Sequence, residues 1–393
     1  MKRTILPVAL ATLAFSIGQA RSQQAARTGA TTTMSTDRDR RHLRSRVKSV
    51  RSKTFEFEKQ GAQFKEKLWL VRTETFDAQG RLLEESFENA QHPEYSNKHT
   101  LAYDSTGRLA EESVYSEGRG LSTKTLCLYD SQDRLVQQVS LDSDGKAAGK
   151  SNVLYDSHGN KLEKSSYDAG GKLVAKTEFT YHPNGKRAEE SSFVYEEPEP
   201  NTGRGYTIDA NSGYDHLFLV NGRAFLERKL YDLNGNPAQL QLFDKIGNLL
   251  TRVIFTTDAA GRIVKDAHFG GGGCCSGIPA GVELPPEIAD LLSGKIPAFE
   301  SEIVYDAEGR KIEDRMLFRG ALSRARAFKY DSQGELIEDS TFEANGAPHS
   351  RAQIKREYDS QGNWIEELVS SWNDKTGTFE PSLVERREIK YHD

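Results

Sequence analysis

An aromatic residue followed by Asp, two variable residues and usually Gly recurs along this chain, and its spacing leaves little freedom about the fold. It stands as Phe76-Asp77 to Gly80, Tyr103-Asp104 to Gly107, Tyr155-Asp156 to Gly159, Tyr231-Asp232 to Gly235, Tyr305-Asp306 to Gly309, Tyr330-Asp331 to Gly334 and Tyr358-Asp359 to Gly362. Degenerate copies begin at Tyr129, Tyr181, Thr257 and Tyr391, and the starts at 103, 129, 155 and 181 are 26 residues apart. Asp at the head of a type I turn accepts bonds from the backbone ahead of it, and Gly three residues later takes the left-handed conformation of a hairpin bulge. Each period holds a second turn, as at Tyr167-Asp168-Ala169-Gly170-Gly171, so one unit is two strands. Between turns the side chains alternate: Leu173, Ala175, Thr177, Phe179 and Tyr181 fall on one face, Lys172, Lys176, Glu178 and Thr180 on the other.

A single unit cannot fold alone. Its few apolar side chains contribute about 1.5–3 kcal/mol each on burial, against about 1–2 kcal/mol per residue to order its backbone. Neighbouring units must share the burial, so the expected fold is all-β: tandem antiparallel hairpins, about 26 residues per two-strand unit, in an extended or spiralling sheet with one short helical insertion. With 36% hydrophobic and 28% charged residues, the core is thin. A net charge of -5 spread through the chain marks no polyanionic partner of nucleic-acid type. Every strand carries charged residues, which disfavours a lipid-facing barrel, and no later segment is long and apolar enough for a membrane span.

The residues of this pattern resemble the YD repeats of the RHS family over about residues 46–393. That resemblance implies a hollow β-shell around cargo, with activity in a terminal toxin domain and a self-cleaving core; this chain ends on the copy at Tyr391 and has no Asp-Pro dipeptide of the core type. The copy Tyr181-His182-Pro183-Asn184-Gly185-Lys186 is similar to the hairpins of MORN-type antitoxin proteins. Either likeness implies a binding or enclosing surface.

The start reads as a secretory signal over residues 1–20: Lys2 and Arg3, an apolar run from Ile5 to Ile17, then Gly18-Gln19-Ala20. A disordered basic leader is expected over 21–45, followed by a first edge strand near Val47 and a repeat domain over 46–393, in a periplasmic or extracellular location. Two gaps break the period, giving a degenerate unit or an insertion near 193–226 and near 268–300. The second carries four glycines, Cys274-Cys275 and a two-turn helix within Leu284–Gly294, and is the expected place for a partner contact or disulfide.

Signatures of catalysis and of cofactor or metal binding are not found in the sequence. Gly145 to Ser151 has three residues between its glycines where a phosphate loop needs four. Glu84-Glu85, Glu111-Glu112, Glu189-Glu190 and Glu366-Glu367 recur at equivalent positions and read as a solvated face rather than a glycosidase dyad. His158, His182 and His392 should be exposed in turns, and Cys127 should be buried in the slot that Leu101 and Val153 occupy elsewhere. The reading is a non-enzymatic binding or scaffold protein for a glycan, an envelope polymer or a protein. The alternatives are a shell-like or immunity component of a toxin system, and a hydrolase with a site between the two insertions at His216 or His268.

Overall fold

In the computed structural model, residues 36–61, 63–195, 226–244, 246–270 and 295–393 are described. A four-residue helix, α1 (Asp37–Arg40), precedes the strands β1 (Val47–Gln60), β2 (Gln63–Phe76), β3 (Leu82–Asn89), β4 (Asn97–Tyr103), β5 (Leu109–Ser116), β6 (Gly120–Tyr129), β7 (Leu135–Leu141) and β8 (Ala147–Tyr155). They continue as β9 (Lys161–Asp168), β10 (Leu173–Tyr181), β11 (Arg187–Val194), β12 (Leu226–Tyr231), β13 (Pro237–Phe243), β14 (Leu249–Thr257), β15 (Ile263–Gly270) and β16 (Phe299–Tyr305). The last are β17 (Lys311–Phe318), β18 (Ala321–Tyr330), β19 (Leu336–Glu343), β20 (Pro348–Tyr358), β21 (Trp364–Asn373) and β22 (Thr378–Tyr391). A 3-10 turn at Pro93–Tyr95 is the one other helical element among the described residues.

Each strand pairs antiparallel with the next, and β22 pairs back onto β1 from Val47↔Tyr391 to Glu56↔Leu383. The sheet is therefore a closed ring of 22 strands, which corrects the extended or spiralling sheet expected from the sequence. Alternation decides which side chains share a face and leaves the curvature between strands open. Closure also corrects the expected edge strand: β1 is hydrogen-bonded on both sides, so its backbone groups are not a template for another chain. Apart from this seam, the substantial contacts between strands are all between chain neighbours.

The two faces of the sheet differ. One is crowded and carries Val50, Cys127, Val153, Val253, Phe328, Ala352, Ile354 and Val369, all buried. The other is open, and the residue just before the turn tyrosine protrudes there, as Leu128, Leu154 and Val304 do. Cys127 takes the buried slot expected for it. The adjacent glutamates cannot form one solvated face, because neighbours along a strand point to opposite sides. Glu84 stays accessible, whereas Glu367 on the crowded face is 5% exposed and pairs with Arg356.

The aromatic-Asp turns all lie at one rim and the second turns at the other, because successive strands alternate in direction. β11 pairs directly with β12 and β15 with β16, so among the described residues neither gap in the period adds a strand to the ring, and both begin at the rim opposite the aromatic-Asp turns. Cys274, Cys275, the helix expected within 284–294, most of 193–226 and residues 1–35 lie outside the described residues.

Candidate functional site

At the first rim the repeat builds a staircase. In a typical turn the Asp104 amide donates to the Arg108 carbonyl at 2.9 Å and the Gly107 amide to the Asp104 carbonyl at 3.0 Å. Asp104 Oδ1 accepts from the amides of Thr106 and Arg108, and Oδ2 from the Arg108 side chain. The glycines at the fourth position have φ between 75° and 88°, which a side chain rarely adopts. Asp133 holds the same conformation in the one unit that lacks the glycine. A Cβ on Gly107 would also lie 2.6 Å from the guanidinium of Arg81, which crosses over it from the preceding turn.

That arginine joins one unit to the next. Arg81 lies 4.7 Å from the ring centre of Tyr103, Arg108 from that of Tyr129 and Arg134 from that of Tyr155, each at the same distance. Six turn tyrosines then reach back with their hydroxyls: Tyr103 to the Leu82 carbonyl at 2.8 Å, Tyr129 to Leu109, Tyr155 to Leu135, Tyr181 to Lys161, Tyr305 to Ile263 and Tyr330 to Lys311. Burial, reinforced by Asp37, pushes the Tyr103 hydroxyl up to about 12, and burial does the same at Tyr330. The Arg108 amide and the Thr106 hydroxyl hold the Asp104 carboxyl far below the usual carboxylate range. The Asp, Arg and Tyr side chains of such a step are engaged within the staircase, which is therefore structural.

His158 is exposed as expected, but His182 and His392 are not free: their Nε2 atoms reach the carbonyls of Tyr231 and Phe76, both at 3.1 Å, across to the neighbouring unit. Where Thr257 replaces the tyrosine, a shallow polar hollow opens between Asp232, Asn234, Asn236, Asp258 and Gly261. Its two carboxylates are bound by their own turns.

The seam is closed by residues 36–46, part of the expected leader. The Arg38 amide donates to the Gly80 carbonyl, and Asp37 accepts from the Leu82 amide. Arg41 pairs with Glu74 and Glu85, which Arg72 also binds. Leu43 is buried with Val47, Val50, Phe76 and Leu82, and Asn363 is bonded to both the amide and the carbonyl of Arg44.

Midway between the rims, on the open face, lies a band that the sequence reading missed. Lys98, Lys124, Lys150, Lys176, Arg228 and Arg252 each stand opposite the same repeat position on the preceding strand, held by Ser86, Ser113, Val139, Ser165, Ser191 and Gln241. Ser113, Ser165 and Ser191 are buried although polar and small. On the far side of most cations stands an aromatic ring: Lys98 lies 5.3 Å from the centre of Tyr115, Lys150 5.4 Å from Tyr167 and Arg252 4.8 Å from Phe269. Carboxylates interleave, with Glu111 at 2.8 Å from Lys124, Glu163 at 2.9 Å from Lys176 and Glu189 at 3.0 Å from Arg228. Gln137 and Gln239 occupy the position of those glutamates in two units. Lys150 and Arg252 accordingly have no carboxylate within ion-pair distance among the described residues, and Arg252 Nε is buried without a hydrogen-bond partner. The signal was in the sequence: positions 98, 124, 150 and 176 are lysines at the repeat interval.

His268 and Asp266 contact at 2.9 Å on the crowded face. His216 lies outside the described residues, and no group of three or more His, Cys, Asp or Glu that could hold a metal occurs among those described.

No protein-family model matches the chain, and no curated protein matches it. Among solved structures, a TcdB2-TccC3-TEV chain is 14% identical with a TM-score of 0.35, covering 87% of this chain and 17% of that one. The Tc holotoxin pore of Photorhabdus luminescens is 14% identical with a TM-score of 0.33, covering 76% and 15%. A porin-like protein from Bacteroides uniformis ATCC 8492 is 12% identical with a TM-score of 0.25, covering 88% and 96%. This chain thus spans about a sixth of the length of the first two, and likenesses of this size carry no argument about function.

Proposed function

We propose that this chain is an exported, non-enzymatic binding and scaffold protein whose closed repeat wall holds a glycan, an envelope polymer or a protein partner. The observation that carries this reading is the band of cations and aromatic rings in one register on the open face. A cation and a ring repeated in one register give a face that suits a repeating partner, beside the cross-strand ion pairs that four of the cations make. Export rests on the basic and apolar start of the sequence. Charged pairs on both faces favour water over lipid on either side of the wall, since a lipid-facing strand presents apolar residues.

The test is a pull-down of residues 26–393 against envelope extract, run beside a glycan array. Retention of a defined glycan, polymer or envelope protein supports the reading; retention of nothing in either format refutes it. A second reading, a shell component of a toxin system as the YD resemblance implies, is favoured by closure of the sheet, because a closed wall can enclose a chain. It requires that a co-expressed toxin segment become resistant to protease in the presence of this protein; unchanged digestion sinks it.

A further inference from the structure

We infer that residues 36–46 are a releasable clasp over a self-association surface: once they detach, β1 and β22 part, and each pairs with the complementary strand of a second copy of this chain. The clasp stands outside the sheet and bridges both sides of the seam. Toward β2 and β3, the Arg38 amide donates to the Gly80 carbonyl at 3.1 Å, the Asp37 carboxylate accepts from the Leu82 amide at 2.8 Å, and Arg41 pairs with Glu74 and Glu85. Toward β21 and β22, Asn363 holds Arg44, the His392 amide donates to the Arg46 carbonyl at 2.8 Å, and the Arg46 side chain donates to the Asp393 carbonyl. Arg41 also lies 6.0 Å from the ring centre of Phe76, where in other units an arginine of the preceding turn covers the ring. The clasp thus supplies the staircase step that the seam lacks.

Three features make this the joint that opens. Every other pair of neighbouring strands is consecutive in the chain, whereas β1 and β22 are held only by their ladder, their side chains and the clasp. That ladder is irregular between Val47 and Ser49 and ends at Glu56↔Leu383, so residues 57–60 have no ladder partner on β22. The clasp itself is held in strain: His42 and Ser45 have φ of 54° and 64°, a left-handed region that side chains rarely adopt, and both are exposed. Freed, the two edges present rows of unpaired amides and carbonyls that template another strand. They fit each other better than they fit a stranger. Val47, Val50 and Val384 are almost fully buried at the seam, with Val50 opposite Ile389, Phe55 opposite Val384 and Arg51 opposite Glu388. A second copy restores each of these contacts, as in any exchange of identical elements between protomers. Each copy offers one β1 edge and one β22 edge, so the contact is head to tail and either closes with two copies or grows into longer chains. Rejoining within one chain competes, so association rises with concentration.

The experiment inserts a recognition sequence for a site-specific protease between Ser45 and Arg46, in residues 26–393 carrying Cys274→Ala and Cys275→Ala, and cuts it after folding. Gel filtration removes the freed peptide, and light scattering gives the mass over about a hundredfold range of concentration. The uncut protein should be monomeric throughout. The cut protein should pass from monomer to dimer and larger species, its dimer share rising at least about tenfold across that range. Hydrogen exchange should quicken in β1 and β22 of the cut monomer and slow again in the dimer. A second variant adds Arg51→Cys/Glu388→Cys at two exposed positions that stand opposite each other. Oxidised before cutting, it should stay monomeric, and reduction should let it associate. Retention of the peptide, a cut protein that stays monomeric, association by the oxidised variant, or equal association by the uncut protein each overturns the inference.

Discussion

Replacing Asn363 by Ala tests whether the ring is held shut by its seam. Asn363 is 2% exposed, and its side chain makes three bonds that join distant parts of the chain. Its Oδ1 accepts from the Arg44 amide at 2.6 Å, and its Nδ2 donates to the Arg44 carbonyl at 3.0 Å and to the Tyr391 hydroxyl at 2.8 Å. Asn160 holds the same repeat position in an ordinary unit, where its Nδ2 donates only to Asp156 at 2.9 Å within its own turn. A net intramolecular hydrogen bond contributes about 1 kcal/mol, and a buried group left without a partner costs about as much or more. Asn160→Ala should therefore cost about 1 kcal/mol and Asn363→Ala about 3 kcal/mol. The difference of about 2 kcal/mol is close to 30-fold in an opening equilibrium. Hydrogen exchange read by mass spectrometry should place that acceleration in the peptides of β1 and β22, while β7 and β8 exchange as in the unaltered chain. Equal effects of the two substitutions, or acceleration spread evenly around the ring, would refute the argument that residues 36–46 clasp the seam.

The turn carboxylates set the acid limit of the fold: Asp104 is held low by the Arg108 amide, Asp130 by the Arg134 side chain and Asp232 by the Asn236 amide. A depressed folded value contributes stability that is complete above the unfolded value of about 4 and is lost as pH falls below it. The melting temperature should accordingly be flat from neutrality to about pH 5 and fall below about pH 4, and a fall already complete at pH 5 would contradict the assignment. Tyr103 and Tyr330, raised to about 12, contribute stability present below the unfolded value of about 10 and lost as pH rises through 12, which ultraviolet titration would detect as late-ionising tyrosines. In a Cys274→Ala/Cys275→Ala background, Cys127 should resist alkylation until denaturant is added, and rapid labelling of the native protein would contradict its buried position.

The hairpins, their turn chemistry and the two-strand unit were legible because each rests on local residues: Asp104 and Gly107 specify their turn without reference to anything distant. Closure was not legible, since it depends on contacts such as Asn363 with Arg44 and Val47 with Tyr391, which sit more than 300 positions apart. The leader read as disordered for the same reason: Arg38, Arg41 and Arg44 are polar and lack periodicity, and their partners Gly80, Glu74 and Asn363 show only in three dimensions. The lysines at 98, 124, 150 and 176 were visible at the repeat interval but passed for the ordinary polar half of an alternating strand. Their significance appears only with the register that sets rings on one side of them and buried serines on the other.

The tyrosine staircase has a direction. In six units the hydroxyl reaches the hairpin before it, as from Tyr129 back to Leu109, and the arginine of the earlier turn reaches forward over the later ring, as Arg108 does over Tyr129. At the seam the pattern stops: Phe76 has no hydroxyl, and the Tyr391 hydroxyl turns instead to Asp359 and Asn363. A chain that emerges from its amino end can therefore add hairpins in order, each newcomer finding its acceptor already in place, and the last strand finds β1 still waiting. The ring thus has the layout of a zip, with a starting tooth at β1 and a final catch at β22.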